Sequence, residues 1–222
     1  MRSLVHIDEI MQILKTTIDT SNMPLVSRKN WEEINKTPFT VLISCLLSLR
    51  TKDLVTEQAS LRLFKRYHTP HEIDMATEEE LRQLIYPVGF YKVKAKRIKE
   101  ISKTLIDTYN GQVPNDFHEL LLLKGVGRKT ANIVMRYGFK NDNYLPIDTH
   151  CHRIPNRIGW ISTKTPTETE FALKKILSKK YWLDFNHLFV LFGQQICTPI
   201  SPHCTTCPIS VFCEKKNVMN HR

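Results

Sequence analysis

Four cysteines, one lysine and one aspartate have types and spacings that could do chemistry. The cysteines run Cys197-x6-Cys204-x2-Cys207-x5-Cys213. Four thiolates at such intervals suit a tetrahedral metal ion or a [4Fe–4S] cube equally in charge and softness. Zinc sites of four cysteines usually come as paired C-x2-C knuckles, and only Cys204 and Cys207 have that spacing. The lysine is Lys129, in Lys124-Gly125-Val126-Gly127-Arg128-Lys129-Thr130, which holds two of only seven glycines in the chain. Glycine used so sparingly points to a backbone that must reach φ > 0 or be approached closely. A hairpin there leaves N–H donors at a helix start, which together with the helix dipole make a phosphate site. Lys124 and Arg128 flank it with charge. In the first turn of that helix, the dipole and Arg128 both disfavour the ammonium form of Lys129, one route to a nucleophilic amine. Asp148 sits in Ile147-Asp148-Thr149-His150, between turn-like residues and a helix. There it is placed to cap a helix N-terminus.

The elements that must position these residues read as helices. Glycine and proline are scarce, no internal repeat occurs, and the periodicity is helical rather than alternating, so the chain is expected to be all-α. A first helix is expected over 5–20, with Ile7, Ile10, Met11, Leu14 and Ile18 on one stripe. A polar interval follows over 22–30, and Pro38 opens an apolar helix containing Cys45, a core thiol. Asp53 is placed to cap the next helix, and Thr77 with Glu80 spells a capping box. From Lys92 to Lys99, five of eight residues are basic. Lys92, Lys96 and Lys99 share a face opposite Ala95 and Ile98, giving a phosphate-facing stripe where a merely solvated face is the alternative. After the stop at Asn110 and Gly111 come a cap at Asn115 or Asp116, the hairpin pair, a turn over 141–144, and helices over 150–160, 167–180 and 184–196.

Composition narrows the partners. A net charge of +10 and a pI near 9.3 favour a polyanion. The longest apolar run, Val41 to Leu49, is too short to span a bilayer, and Asp8 and Glu9 stand where a signal peptide would need its apolar stretch. An intracellular protein without membrane partners is expected, and six cysteines, four of them at ligand spacing, favour a metal over disulfides.

The spelling L-x-G-V-G-R-K-T-A resembles the helix-hairpin-helix of the endonuclease III family, DNA glycosylase/lyases of the helix-hairpin-helix-GPD superfamily. Pro146 to Arg157 is similar to that family's V-D-T-H-x-x-R-x-x-N-R, and the cysteine spacing resembles its iron–sulfur loop. The resemblance implies a two-lobed all-α fold: residues 1–29 packing with 141–222 as the cluster lobe, and 30–140 as the lobe carrying the hairpin. It implies Lys129 as nucleophile and Asp148 as its carboxylate. It further implies Cys197, Cys204, Cys207 and Cys213 as ligands of a [4Fe–4S] cluster, and Gly125, Val126, Gly127, Arg128, Thr130, Lys92, Lys96 and His150 as DNA contacts. Phe90 matches the residue that wedges into the duplex gap, a buried helix-start aromatic being the alternative. Arg50 stands where the family has the glutamine that occupies the space left by the flipped base. The implied activity is base-excision repair of oxidised pyrimidines and abasic sites in double-stranded DNA by a bifunctional glycosylase/AP lyase, acting as a monomer in the cytoplasm or nucleoid. A mismatch-specific thymine or uracil glycosylase, or a non-catalytic DNA-binding module with structural zinc, are the alternatives.

Overall fold

Threonine caps set the helix starts in the computed structural model, which describes residues 6–20 and 36–222. Thr37, Thr69 and Thr77 each accept from an N–H three residues on and complete a capping box, opening α2 (Pro38–Ser48), α4 (Pro70–Met75) and α5 (Glu78–Ile85). Proline fills the first helical position of α2 and α4, where its missing N–H removes nothing. Between them, α3 spans Asp53–Phe64. Its cap is Lys52 and not Asp53 as expected. Asp53 is already helical, so its charge meets the dipole from inside the first turn. The long α6 (Tyr91–Tyr109) ends at Asn110 in the left-handed region. Asp116 caps α7 (Phe117–Leu122), accepting from His118 N and Glu119 N. The short α8 (Arg128–Ile133) runs straight into a π-helical turn, Val134–Gly138.

The remaining helices are α1 (Ile7–Thr17), α9 (Thr149–Ile158), α10 (Pro166–Ile176) and α11 (Trp182–Gln195). The helix expected over 167–180 stops at Ile176 because Leu177 turns extended, is buried, and gives its carbonyl to Trp182 Nε1 at 2.9 Å. Among the described residues every regular element is helical, and no helix is long and apolar enough to cross a membrane.

The chain divides into two compact units. In one, residues 36–144, α2 is the central rod: every residue from Phe39 to Leu47 is buried. Its core also takes Leu63, Phe64, Ile85, Ile98, Leu105 and Val134. In the other, residues 6–20 and 145–222, the stripe Ile10, Met11, Leu14 and Ile18 joins Ile154, Phe185 and Phe189 in a separate core. Each such side chain contributes roughly 1.5–3 kcal/mol by leaving water. The units change over after Tyr144, a few residues beyond the expected 140/141. Tyr144 stacks on Phe117 and Asp142 pairs with Arg136, which ties 141–144 to the middle unit. The expected boundary at 29/30 and the polar interval over 22–30 lie outside the described residues.

Candidate active site

The hairpin is built by one short turn. Val126 N donates to Leu123 O at 2.9 Å and the Val126 side chain is buried, fastening the loop to the core. Gly125 has φ 85, the left-handed region, so its glycine is a backbone requirement. Gly127 is different. Its φ of −98 and ψ of 175 suit any residue, and a Cβ there would meet no atom within 4 Å among the described residues. The structure therefore gives no internal reason for glycine at 127. Lys124 is exposed and pairs with Glu100 at 3.1 Å, while the Arg128 guanidinium stands 5.0 Å over the Phe117 ring. Thr130, like Val126, is buried, so both can offer a ligand only their backbone. Lys129 is exposed in the first turn of α8. Behind it lies Cys45 of α2, whose thiol burial pushes up to about 12 against the opposing pull of the Lys129 charge. Cys45 stays protonated, a core thiol as read.

Along α6 the lysines separate by role. Lys92 and Lys96 are exposed and line an open groove with Arg97 and Lys124, in which Glu78 and Glu100 also stand. Lys99 leaves the expected phosphate-facing stripe. Its Nζ donates to Asp74 O and to Ala76 O, the latter at 2.6 Å, closing the C-terminus of α4. Ahead of the helix, Phe90 is 62% exposed, which removes the buried alternative. The Arg50 guanidinium lies 5.8 Å from the Phe90 ring centroid, so the two candidate duplex contacts share one patch.

In the other unit Asp148 caps α9: its Oδ1 accepts from Cys151 N at 2.8 Å, and the residue is half-buried. Cys151 is buried against Asn186, away from the four-cysteine set. His150 lies 3.1 Å from Arg153 Nη2 and packs so closely on Gly193 of α11 that a Cβ there would clash with its ring. Arg153 and Arg157 fasten the cysteine loop. Arg153 Nη2 donates to Cys197 O at 2.7 Å, and burial lowers its affinity for a proton. Arg157, buried, donates to Thr198 O at 2.7 Å, Pro199 O at 2.5 Å and Cys197 Sγ at 3.4 Å.

All four cysteines of the loop are free thiols lining one small cavity of about 20 Å³, beside Arg157 and Ile209. Burial pushes Cys207 up to about 11, with the neighbouring thiols adding to the rise, and burial raises Cys213 as well. Thiols that so oppose one another's ionisation form a donor set completed by cationic charge. Lys215 N donates to Cys213 Sγ at 3.4 Å, a second N–H aimed at sulfur. Among the described residues no group of three or more His, Cys, Asp or Glu side chains is arranged to hold a metal ion.

Comparison with known proteins gives concordant results. A family model described as HhH-GPD superfamily base excision DNA repair protein matches residues 43–179. Endonuclease III of Thermotoga maritima is 52% identical over 177 residues, 80% of this chain and 83% of the relative. A solved non-covalent endonuclease III–DNA complex matches with TM-score 0.80 at 33% identity, covering 96% of this chain and 95% of that one. A trapped endonuclease III–DNA covalent intermediate matches with TM-score 0.77 at 34% identity, covering 94% and 92%.

Proposed function

The chain belongs to the HhH-GPD superfamily of base excision DNA repair proteins, and from that premise we propose that it is an intracellular DNA glycosylase with AP lyase activity, working as a monomer on oxidised pyrimidines and abasic sites in double-stranded DNA. The observation that carries this reading is the exposed Lys129 two residues past Gly127, in the first turn of α8, beside a Gly127 on which a Cβ would meet no atom within 4 Å among the described residues. A relative of this fold has been trapped covalently joined to DNA, which is what an amine so placed would do.

A base inside a duplex is out of reach, so the nucleotide must first be everted, at a few kcal/mol. The Lys129 amine then attacks C1′, the C1′–N bond breaks, and the base leaves with the electron pair and gains a proton. Loss of a proton from nitrogen and opening of the sugar ring give a Schiff base. Removal of a C2′ proton expels the 3′-phosphate by β-elimination. The Asp148 carboxylate offsets the positive charge that develops on the sugar. Gly125, Gly127 and Arg128 hold backbone phosphate, with the N–H groups of Val126 and Thr130, and Lys92, Lys96 and His150 add contacts. Arg50 and Phe90 fill the gap left by the everted nucleotide.

Cys197, Cys204, Cys207 and Cys213 would hold a [4Fe–4S] cluster: four thiolates suit it in charge and softness, and their spacing resembles an iron–sulfur loop more than the paired C-x2-C knuckles of zinc. When bound, the cluster supplies structure to the loop, since glycosidic cleavage and β-elimination transfer no net electrons. The test is borohydride trapping on duplexes carrying an oxidised pyrimidine or an abasic site. A covalent adduct is expected from the unsubstituted protein and none from Lys129→Ala. Absence of an adduct from the unsubstituted protein on every such duplex sinks the lyase assignment.

A further inference from the structure

Lys94 takes no part in the chemistry above, yet it is only 8% exposed, and lysines are rarely buried without an acid. Its three donors go instead to neutral oxygens: Leu47 O at 2.8 Å, Leu49 O at 2.5 Å and Thr51 Oγ1 at 3.1 Å. The two carbonyls belong to the C-terminal end of α2, where the helix dipole favours a cation. Thr51 Oγ1 is a second hub, accepting from Gly89 N at 3.1 Å and donating to Leu49 O at 3.3 Å. One ammonium thus ties the loop after α2 to the loop before α6. The loops touch: a Cβ on Gly89 would lie 2.5 Å from Arg50 O.

What this joint clamps is Arg50 and Phe90. Both have positive φ, 53 and 58, a region that bulky residues avoid unless their surroundings impose it. Each is exposed, and guanidinium and ring face each other. A pair strained in this way and pinned from beneath is presented outward as one rigid ridge.

We propose that Lys94 is the positioning residue of this ridge, and that discrimination between bases opposite the lesion depends on it. The proposal rests on the reading that Arg50 and Phe90 enter the duplex gap. There the guanidinium fork matches O6 and N7 of an unpaired guanine better than the edge of adenine, and it can do so only if its loop is held.

The experiment is a thermodynamic cycle read by fluorescence anisotropy, using duplexes with a tetrahydrofuran abasic analogue opposite guanine or adenine. Four proteins are compared: unsubstituted, Lys94→Met, the Arg50→Ala/Phe90→Ala double variant, and the triple variant. Lys94→Met is expected to weaken binding roughly 10-fold and to bring the guanine-to-adenine affinity ratio close to unity. Added to the double variant, it should change affinity less than about two-fold, because it acts through residues already removed. Equal losses in both backgrounds, or an intact ratio in Lys94→Met, overturn the proposal. Should Lys94→Met fail to fold, Thr51→Val removes the second hub alone and must show the same loss of ratio. If the unsubstituted protein does not prefer the abasic duplexes to an undamaged one, the parent reading falls and takes this one with it. If it does prefer them and Lys94→Met matches it, only this proposal falls.

Discussion

Alanine at Gly127 separates what the hairpin needs for its own folding from what it needs to meet a duplex. Gly127 is the N-cap of α8, and no atom lies within 4 Å of a Cβ placed on it among the described residues. Two small terms then oppose each other. Alanine is a poorer cap than glycine, by about 0.5–1 kcal/mol. Against that, it removes freedom from the unfolded chain, worth about 0.4–1 kcal/mol where the native backbone suits it, as φ −98 does. The sum lies within about 0.5 kcal/mol of zero, a melting shift under about 2 °C for a chain of this size. Binding should not be spared. A phosphate oxygen accepting from the hairpin must come within about 3 Å of nitrogen, and a methyl on the adjacent carbon stands in its way. A loss of roughly 10-fold, or about 1.4 kcal/mol, is expected in anisotropy against an abasic-analogue duplex at fixed salt. Gly125→Ala should do the reverse. At φ 85 alanine is strained by about 1–2 kcal/mol, and the Arg97 guanidinium, 2.5 Å from the new Cβ, must move. If Gly127→Ala binds within two-fold of the unsubstituted protein, or melts more than about 4 °C lower, the hairpin does not face phosphate as argued.

Asp148→Asn keeps a good cap but loses the charge, so its melting temperature should hold while trapping slows at least about 100-fold; an unimpaired rate would reduce Asp148 to a cap. Arg157→Met takes the donors from Thr198 O and Pro199 O. That variant should lose about 2–3 kcal/mol of stability and much of its iron per chain, measured by unfolding and by iron assay; full iron with unchanged melting contradicts the fastening role. Lys94 carries a pH signature. Burial lowers its amine from 10.5 to about 8. Between those values the unfolded chain holds more protons than the folded one. Its penalty is therefore full below about pH 8 and is relieved as pH rises toward 10.5, by at most about 1.4 kcal/mol per pH unit. Unfolding of Lys94→Met should lack that rise, and a stability gap that stays constant from pH 7 to about pH 10 would contradict it.

Features carried by near neighbours were legible in the sequence. Thr77 and Glu80 are three residues apart, and their reciprocal bonds can be read directly from that spacing. So can the stop at Asn110, the apolar face of α1 and the glycine turn at 125. What was not legible depends on acceptors that have no spelling. Lys94 and Lys99 look like two more cations in a basic stretch, but their partners are backbone carbonyls between 23 and 47 residues away. Arg153 and Arg157 posed the same problem, since every residue has a carbonyl and only the fold says which one is aimed at a guanidinium. Asp53 failed for a local reason: a cap and a first-turn acid differ by one residue, and both satisfy the same dipole. Of the proposed site, the hairpin, Lys129 and the cysteine set were indicated by residue type and spacing, and Asp148 by the resemblance. The clamp beneath Arg50 and Phe90 was not, because it joins two loops far apart along the chain.

The first helix is held by residues made much later. Asp8 accepts from Tyr181 and pairs with Lys180, Lys15 meets Asp184 at 2.5 Å, and Asp19 O accepts from Gln195, contacts spanning up to 176 residues. On a ribosome, α1 emerges before α11 and waits for it through the synthesis of the whole intervening unit. During that time its stripe of Ile10, Met11, Leu14 and Ile18 has no native cover, a nascent-chain segment open to chaperones. A chain released before α11 would carry that exposed stripe permanently, so arrested translation should yield aggregates rather than a smaller folded protein.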